Sequence, residues 1–207
     1  MNKEVIAADG KAYKTIKLLG KGKGGYSYLA QSDSGLVVFK KMHYEPCDMY
    51  QFEENKLKSE LRDYETLSRV GVPMPKLIYS DMDGQFLIKE YIDGDTLSEI
   101  VGSRRLADDH VRQIFDMAKL LRNENINIDY FPPNFVENNG RLYYVDYECN
   151  PYMDEWNFEN WGIYFLANVD GMAEFLRTGS QEKLSRNGKP FKEGFEGIVD
   201  RWIALFH

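Results

Sequence analysis

Residues 127–148 restrict the possible folds of this chain more than any other stretch, and they read NIDYFPPNFVENNGRLYYVDYE. The adjacent prolines at 132–133 exclude a continuous helix, because proline lacks a backbone N–H and clashes with the preceding turn. Asn138-Asn139-Gly140 is a turn sequence followed by a strand-like segment. A rigid loop and then a hairpin are therefore predicted. Three polar residues lie at the ends of these elements: Asp129, Asn134 and Asp146.

The chain up to about residue 92 has the alternation and the β-branched and aromatic content of strands. Strands are predicted at residues 4–6, 13–19, 26–31, 36–42, 76–80 and 85–92. Apolar residues at helical spacing predict one helix at residues 52–69, which Gly71 ends. This part of the chain is therefore predicted to be an antiparallel sheet with one helix.

After Asp93-Gly94 the pattern becomes mainly helical. Thr96 and Glu99 form a T-x-x-E capping box, which predicts the start of a short helix. Further helices are predicted at residues 106–123, 158–177 and 191–206. The predicted fold class is α+β with two lobes, residues 1–92 and a reduced, mainly helical part at residues 93–207, which together form one domain.

Composition excludes several classes of protein. With 43% hydrophobic residues over 207 positions the chain can bury a substantial core, while a formal charge of −7 argues against a broad electrostatic grip on nucleic acid. No apolar run approaches the ~20 residues needed to span a bilayer, and the N-terminus has no apolar signal-peptide core. Cys47 and Cys149 lack metal-type spacing and are interpreted as reduced thiols. A cytoplasmic protein with no membrane partner is predicted.

A glycine-rich motif lies between two predicted strands. Gly20, Gly22 and Gly25 satisfy G-x-G-x-x-G, a pattern in which backbone amides approach phosphate oxygens without a clash from Cβ atoms. No helix follows, so the motif differs from a dinucleotide-binding turn, which needs strand, glycines and then helix. A loop over ATP is one interpretation, and a flexible hairpin turn is the other.

A lysine on a predicted strand is the second candidate. Alternation along LVVFKK places Val38 and Lys40 on one face, where the lysine could reach phosphates. A buried lysine needs a partner. Glu60 is chosen because it shares a face of the predicted helix at residues 52–69 with Leu57, Tyr64 and Leu67. The alternative is a solvated strand lysine.

The opening stretch carries the third set of candidates. Asp129 precedes the rigid Tyr-Phe-Pro-Pro loop and could present a carboxylate to an acceptor hydroxyl. Asn134 and Asp146 bring two oxygen ligands together across the hairpin, as Mg²⁺ prefers. The alternative is a turn rich in Asn and Asp followed by an aspartate at a strand end.

Taken in order, these residues resemble the protein-kinase-like superfamily, which includes protein kinases, the small atypical kinases, and the aminoglycoside and choline kinases. The resemblance covers about residues 16–159. It implies a two-lobed kinase-like fold and a phosphotransferase that uses ATP and Mg²⁺. The implied roles are nucleotide binding by Gly20, Gly22, Gly25, Lys40, Glu90, Ile92 and Asp95, catalysis by Lys40, Glu60 and Asp129, and metal binding by Asn134 and Asp146.

The implied mechanism follows the family. Asp129 orients or deprotonates the acceptor hydroxyl, and Lys40 binds the α- and β-phosphates. The segment from Glu90 to Ile92 is the hinge that hydrogen-bonds adenine, and Asp95 reaches the ribose.

Departures from the family pattern put the acceptor in question. Phe131 stands where Ser/Thr protein kinases carry a lysine, and Glu148 resembles the glutamate in the I-D-x-E motif of choline and aminoglycoside kinases. No A-P-E motif follows. Three hypotheses remain: an atypical serine/threonine protein kinase, a kinase of a small-molecule hydroxyl, and an inactive nucleotide-binding scaffold.

Overall fold

The computed structural model describes residues 5–8, 10–45 and 55–207. The chain divides into two compact units. The first unit comprises the described residues up to Tyr64 together with Pro75–Tyr91, and the second comprises Glu65–Met74 and Ile92–His207. Cys47 and the predicted helix start at residues 52–54 lie outside the described residues.

In the described part of the first unit, six strands form one sheet in which every pair of neighbours is antiparallel. The sheet order is β1-β2-β3-β4-β6-β5. The strands are β1 (Val5–Ala8), β2 (Lys11–Lys21), β3 (Gly25–Ser32), β4 (Gly35–Met42), β5 (Leu77–Asp81) and β6 (Phe86–Glu90). The last strand ends at Glu90, two residues before the predicted end, because the hydrogen-bonded ladder with β4 stops where Glu90 pairs with Val37.

Helix α1 (Lys56–Val70) ends as its sequence predicts. Gly71 adopts a φ of 90°, a left-handed conformation in which glycine has no Cβ penalty. Its N–H and that of Val72 both donate to the Leu67 carbonyl, each at 3.1 Å, which satisfies a carbonyl that the helix leaves unpaired.

The second unit holds the remaining helices and several short strands. They are β7 (Asp95–Thr96), α2 (Leu97–Gly102), α3 (Asp108–Asn123), β8 (Ile126–Ile128), β9 (Phe135–Asn138), β10 (Arg141–Tyr144), β11 (Cys149–Pro151), α4 (Ile163–Ala167), α5 (Val169–Thr178), β12 (Ser185–Arg186), β13 (Lys189–Pro190) and α6 (Glu196–Phe206). The predicted capping box is present: the Glu99 N–H donates to Thr96 Oγ1 at 3.2 Å, and the Thr96 N–H donates to Glu99 Oε2 at 2.7 Å.

Two helix predictions in the second unit are wrong in their bounds. The predicted helix at residues 158–177 is instead a π-helical turn, Phe158–Gly162, followed by α4 and α5. Asn168 breaks it, because its backbone is non-helical (φ −89°, ψ 72°) and its side chain accepts from the Gly171 N–H at 2.9 Å, capping α5. The last helix begins at Glu196, since residues 191–195 form a loop.

The core of the second unit forms around α3. The buried residues of this helix are apolar: Val111, Ile114, Phe115, Met117 and Leu121. Phe115 packs edge-on against Phe158, with 5.0 Å between ring centroids. Every helix of the described residues is too short or too polar to cross a bilayer.

Candidate active site

The glycine motif forms the connection between β2 and β3. One prediction is corrected here, because Gly20 lies inside β2 and pairs with Ser27, so it is not part of the loop. The loop itself is short: the Gly22 N–H donates to the Gly25 carbonyl at 3.0 Å.

The glycines of this motif have different physical reasons. A Cβ at Gly25 would lie 2.5 Å from the Lys41 carbonyl oxygen, so close packing against β4 requires glycine there. A Cβ at Gly20 or Gly24 would meet no atom of the described residues within 4 Å, and neither residue has a positive φ. Packing within the described residues and backbone conformation therefore do not require glycine at these two positions. The space at Gly24, which lies in the loop, is compatible with close approach of a phosphate.

Lys40 and Glu60 meet as predicted from strand alternation and helix periodicity. Lys40 Nζ donates to Glu60 Oε1 at 2.8 Å, and both residues are buried, with 9% and 8% of their surface exposed. Burying an ammonium group is costly unless it is paired, so the carboxylate makes the buried position of Lys40 tolerable. The pair places a fixed cation on the inner face of β4.

Of the predicted hinge and ribose residues, Glu90 belongs to the first unit, and Ile92 and Asp95 belong to the second. Glu90 closes β6, where its N–H donates to the Lys76 carbonyl at 2.9 Å and its side chain accepts from the Lys76 N–H at 3.2 Å. Ile92 is half-buried in the second unit. Asp95 is ion-paired with Arg105 at 2.8 Å, a partner that the sequence did not suggest.

Asp129 follows a strand pairing that the sequence analysis missed. Strand β8 pairs with β11, with Ile128 opposite Cys149. Because the two strands are antiparallel, the next residue of one, Asp129, lies beside the preceding residue of the other, Glu148. The Phe131 N–H donates to Asp129 Oδ1 at 3.0 Å, which orients the carboxylate. Each of these strands has three residues, too few for alternation to reveal them.

A hydrogen bond joins Asn134 to Asp129, and a second one holds Val145, the residue before Asp146, against Asn134. The Asn134 amide nitrogen donates to the Asp129 carbonyl at 3.2 Å, and the Val145 N–H donates to the Asn134 carbonyl at 2.8 Å. Asp146 directly follows Val145, and its Oδ1 accepts from the Tyr147 N–H at 3.0 Å. The hairpin β9–β10 brings these segments together through its turn at Asn139 and Gly140, which have φ values of 50° and 79°.

The donor atoms in this region suit Mg²⁺. Because the Asn134 nitrogen donates to Asp129, its amide oxygen is directed away from that bond, and Asp146 adds a carboxylate. Hard oxygen ligands of this kind are the ones that Mg²⁺ binds, usually together with water and substrate phosphates. Within the described residues no group of three or more His, Cys, Asp or Glu side chains could hold a metal ion. A metal here would therefore depend on amide and ligand oxygens as well.

Tyr144 connects the loops of this site, although the sequence analysis did not select it. Its side chain is fully buried, and its hydroxyl donates to the Glu148 carbonyl at 3.0 Å. A backbone hydrogen bond from Asp129 reaches the same hydroxyl. Burial, and after it the charges of Asp146, Asp129 and Glu148, raise the pKa of Tyr144 well above its ordinary value, so the hydroxyl stays protonated as a donor.

Phe131 lies in an aromatic cluster. Its ring centroid is 5.1 Å from that of Phe165 and 5.4 Å from that of Phe175, both in edge-on geometry. The cluster continues from Phe165 to Trp161, 4.8 Å away. The position after Tyr130 is therefore occupied by an apolar packing residue, where many protein kinases present a lysine.

Comparison with known proteins gives one similarity and one negative result. No protein-family model matches the chain. The chain is similar to a probable serine/threonine-protein kinase BUD32 homolog from Archaeoglobus fulgidus, with 26% identity over 155 residues, 67% of this chain and 74% of that protein. This similarity confirms the resemblance to the small atypical kinases, and the α+β architecture is consistent with the kinase-like fold class. It supports kinase activity in general.

Proposed function

We propose that this chain is an ATP- and Mg²⁺-dependent kinase that transfers the γ-phosphate to a serine or threonine hydroxyl of a protein. The arrangement of Asp129, Asn134 and Asp146 carries the proposal. Asn134, a candidate metal ligand, is hydrogen-bonded to the candidate base Asp129, and it also accepts from the N–H of Val145, the residue before Asp146. The similar archaeal protein, itself named a probable serine/threonine-protein kinase, supports the choice of acceptor. A cytoplasmic location and a division at residues 92–93 stay predictions.

Each side chain has a role that suits its environment. Asp129 accepts the proton of the acceptor hydroxyl and holds that oxygen in place. Lys40, oriented by its hydrogen bond to Glu60, binds the α- and β-phosphates, and backbone amides of the segment Gly22–Gly25 bind the terminal phosphates. Mg²⁺, held by Asn134 and Asp146, would neutralise charge on the phosphates. Glu90 and Ile92 contact adenine, and Asp95 contacts the ribose in competition with Arg105.

A small-molecule kinase is the second candidate, and the environment of Phe131 favours it. The aromatic cluster with Phe165 and Phe175 leaves no cation at this position to assist transfer to a protein hydroxyl in the manner of protein kinases. Glu148 also resembles the choline and aminoglycoside kinase pattern. The two candidates differ only in the acceptor.

Nucleotide binding is tested first. Mg-ATP at about 100 times its Kd should raise the Tm by roughly 5–10 °C, because a ligand stabilises the state that it binds. Absence of a shift with Mg-ATP and with Mg-GTP would contradict both kinase candidates and the scaffold alternative.

Transfer is tested with radiolabelled ATP and paired variants. Asp129→Asn should lower the transfer rate at least about a hundredfold and leave Mg-ATP affinity nearly unchanged, because it removes the base but no proposed nucleotide contact. Asp146→Asn should weaken Mg-ATP binding itself, and Asp33→Asn, at an exposed turn, is the charge-matched control. Transfer that survives in Asp129→Asn would disprove the assignment.

The acceptor is identified by comparing substrates. Labelling of the chain itself or of general protein substrates supports the protein kinase. ATP consumption that requires an added aminoglycoside, choline or sugar supports the small-molecule kinase. ATP binding with no transfer to any of these acceptors favours the scaffold.

A further inference from the structure

Three successive carbonyl groups of the glycine loop, residues 22–25, are engaged by donors from His43 and Lys56. His43 Nε2 lies 3.0 Å from the Gly22 carbonyl, and the His43 N–H donates to the Gly24 carbonyl at 3.3 Å. Lys56 Nζ donates to the Lys23 carbonyl at 3.0 Å. Three successive peptide units of the loop are therefore held from the side of His43 and Lys56.

The tautomer of the His43 ring follows from its other contact. The Glu45 N–H donates to His43 Nδ1 at 3.3 Å, so this nitrogen carries no proton. The proton of the neutral ring is then on Nε2, where it can donate to the Gly22 carbonyl. The ring also packs against Tyr26, with 5.0 Å between the centroids.

Lys56 is buried in a position that needs an explanation. Only 4% of its surface is exposed, and its ammonium group donates to the carbonyls of Lys23 and His43, the latter at 2.6 Å. It also lies 5.3 Å from the centre of the Tyr44 ring. Burying a lysine is unfavourable unless its charge is satisfied, so these contacts fix the loop with a strong, charge-assisted bond.

Fixing the carbonyls also fixes the amides. In a trans peptide the C=O and the following N–H point in opposite directions. With the carbonyls of Gly22, Lys23 and Gly24 held on one side, the N–H groups of Lys23, Gly24 and Gly25 are directed to the other side. Successive N–H groups that point the same way form an anion-binding backbone. Among the residues that the structure describes, none has an atom within 4 Å of a Cβ placed at Gly24.

We propose that His43 and Lys56 are positioning residues that hold the glycine loop ready to bind the phosphate groups of a nucleotide. The same helix places Glu60 one turn after Lys56, so α1 positions both the loop and Lys40. The inference rests on the proposed function for the identity of the ligand, but it also predicts binding of inorganic polyphosphate alone.

The experiment measures binding by calorimetry with three probes: Mg-ATP, Mg-tripolyphosphate and adenosine. Lys56→Met should raise the Kd of both phosphate ligands about tenfold or more, because it removes a charge-assisted bond to the loop. Adenosine, which has no phosphate, should bind unchanged. Lys58→Met is the control, since Lys58 is an exposed lysine of the same helix and its loss changes the net charge equally.

Two further variants separate positioning from charge and from folding. His43→Phe keeps an aromatic ring against Tyr26 but removes the ring nitrogen that contacts the Gly22 carbonyl. It should also weaken binding of both phosphate ligands selectively. Lys56→Arg keeps a cationic donor and should restore part of the affinity. In the ligand-free protein, NMR relaxation should show faster motion of the Lys23 and Gly24 amides in Lys56→Met than in Lys58→Met.

Distinct results would overturn the inference. Equal losses for adenosine and Mg-ATP in Lys56→Met would indicate general damage to the unit, and unchanged phosphate affinity would refute the positioning role. A native chain that binds no tripolyphosphate would also refute it. A chain that binds tripolyphosphate in a Lys56-dependent way but transfers no phosphate would contradict the proposed function and leave this inference standing.

Discussion

The substitution Tyr144→Phe tests how much one hydroxyl contributes to the second unit. Phenylalanine keeps the packing of the ring against Phe135, whose centroid is 5.4 Å away. It removes the donor to the Glu148 carbonyl and the acceptor of the Asp129 backbone hydrogen bond. The perturbation is therefore confined to two hydrogen bonds, and the volume of the core is nearly unchanged.

The expected magnitude follows from the groups left behind. A buried backbone group that loses its partner costs about 1–3 kcal/mol. Asp129 and Glu148 are half-buried, so water can reach part of this space, and we expect a total loss of about 2–4 kcal/mol. That is a large share of the roughly 5–15 kcal/mol by which a native domain is stable.

The assay is urea denaturation followed by tryptophan fluorescence. All three tryptophans of the chain, Trp156, Trp161 and Trp202, lie in the second unit, so the signal reports the unfolding of that unit. Tyr143→Phe is the matched control, because the neighbouring ring is half-buried and its described contact is with the Arg141 guanidinium, 5.4 Å from the ring centre. The control should change the free energy of unfolding by less than about 0.5 kcal/mol.

A loss below about 0.5 kcal/mol for Tyr144→Phe, equal to that of the control, would refute the reasoning. It would mean that water replaces the hydroxyl at no cost. A loss of the expected size should be accompanied by a lower transfer rate, because the same hydroxyl connects the loops of Asp129 and Asp146. Rate and stability are measured separately, at a temperature where both proteins are folded.

The remaining predictions concern stability. Gly94→Ala should destabilise by more than about 2 kcal/mol, because a Cβ there overlaps the Glu137 carbonyl. Gly197→Ala, in α6, should stabilise by about 0.5–1 kcal/mol, because no atom of the described chain lies within 4 Å of the added Cβ. Thermal unfolding compares the two variants. Thr96→Ala removes the cap of α2 and should cost about 1 kcal/mol in the same assay. Burial raises the pKa of Tyr130 above its ordinary value near 10, so its contribution to stability is complete below pH ~10 and is lost as the pH rises through the folded-state pKa. A pH titration of unfolding should show this alkaline loss, and Tyr130→Phe should reduce it.

Short-range patterns were sufficient to predict several features of the candidate site. Strand alternation placed Lys40 on the same face as Val38, and helix periodicity selected Glu60 as its partner. In the structure, Lys40 Nζ donates to Glu60 Oε1 at 2.8 Å. Each pattern depends only on which face of one element a residue occupies. The turn at Asn138-Asn139-Gly140 was predicted for the same reason, since the residues themselves favour its backbone conformation.

Other features depend on partners that are distant in the sequence. The pairing of β8 with β11 is too short to leave an alternating pattern, yet it places Asp129 beside Glu148. The break at Asn168 arises because its side chain caps α5 and also donates to the Lys183 carbonyl at 2.8 Å. An apolar stripe that runs through such a residue predicts one helix, because periodicity does not register a hydrogen bond from outside the segment.

The sequence by itself therefore determined the order of the chemically active residues and the kind of element that carries each one. Only the tertiary structure decided which polar groups meet. It bound Tyr144 to Asp129 and Glu148, paired Asp95 with Arg105, and directed His43 and Lys56 to the carbonyls of the glycine loop. The physical reason is that local preference acts over a few neighbouring residues, whereas a buried polar group must find its partner wherever the fold brings one within hydrogen-bonding distance.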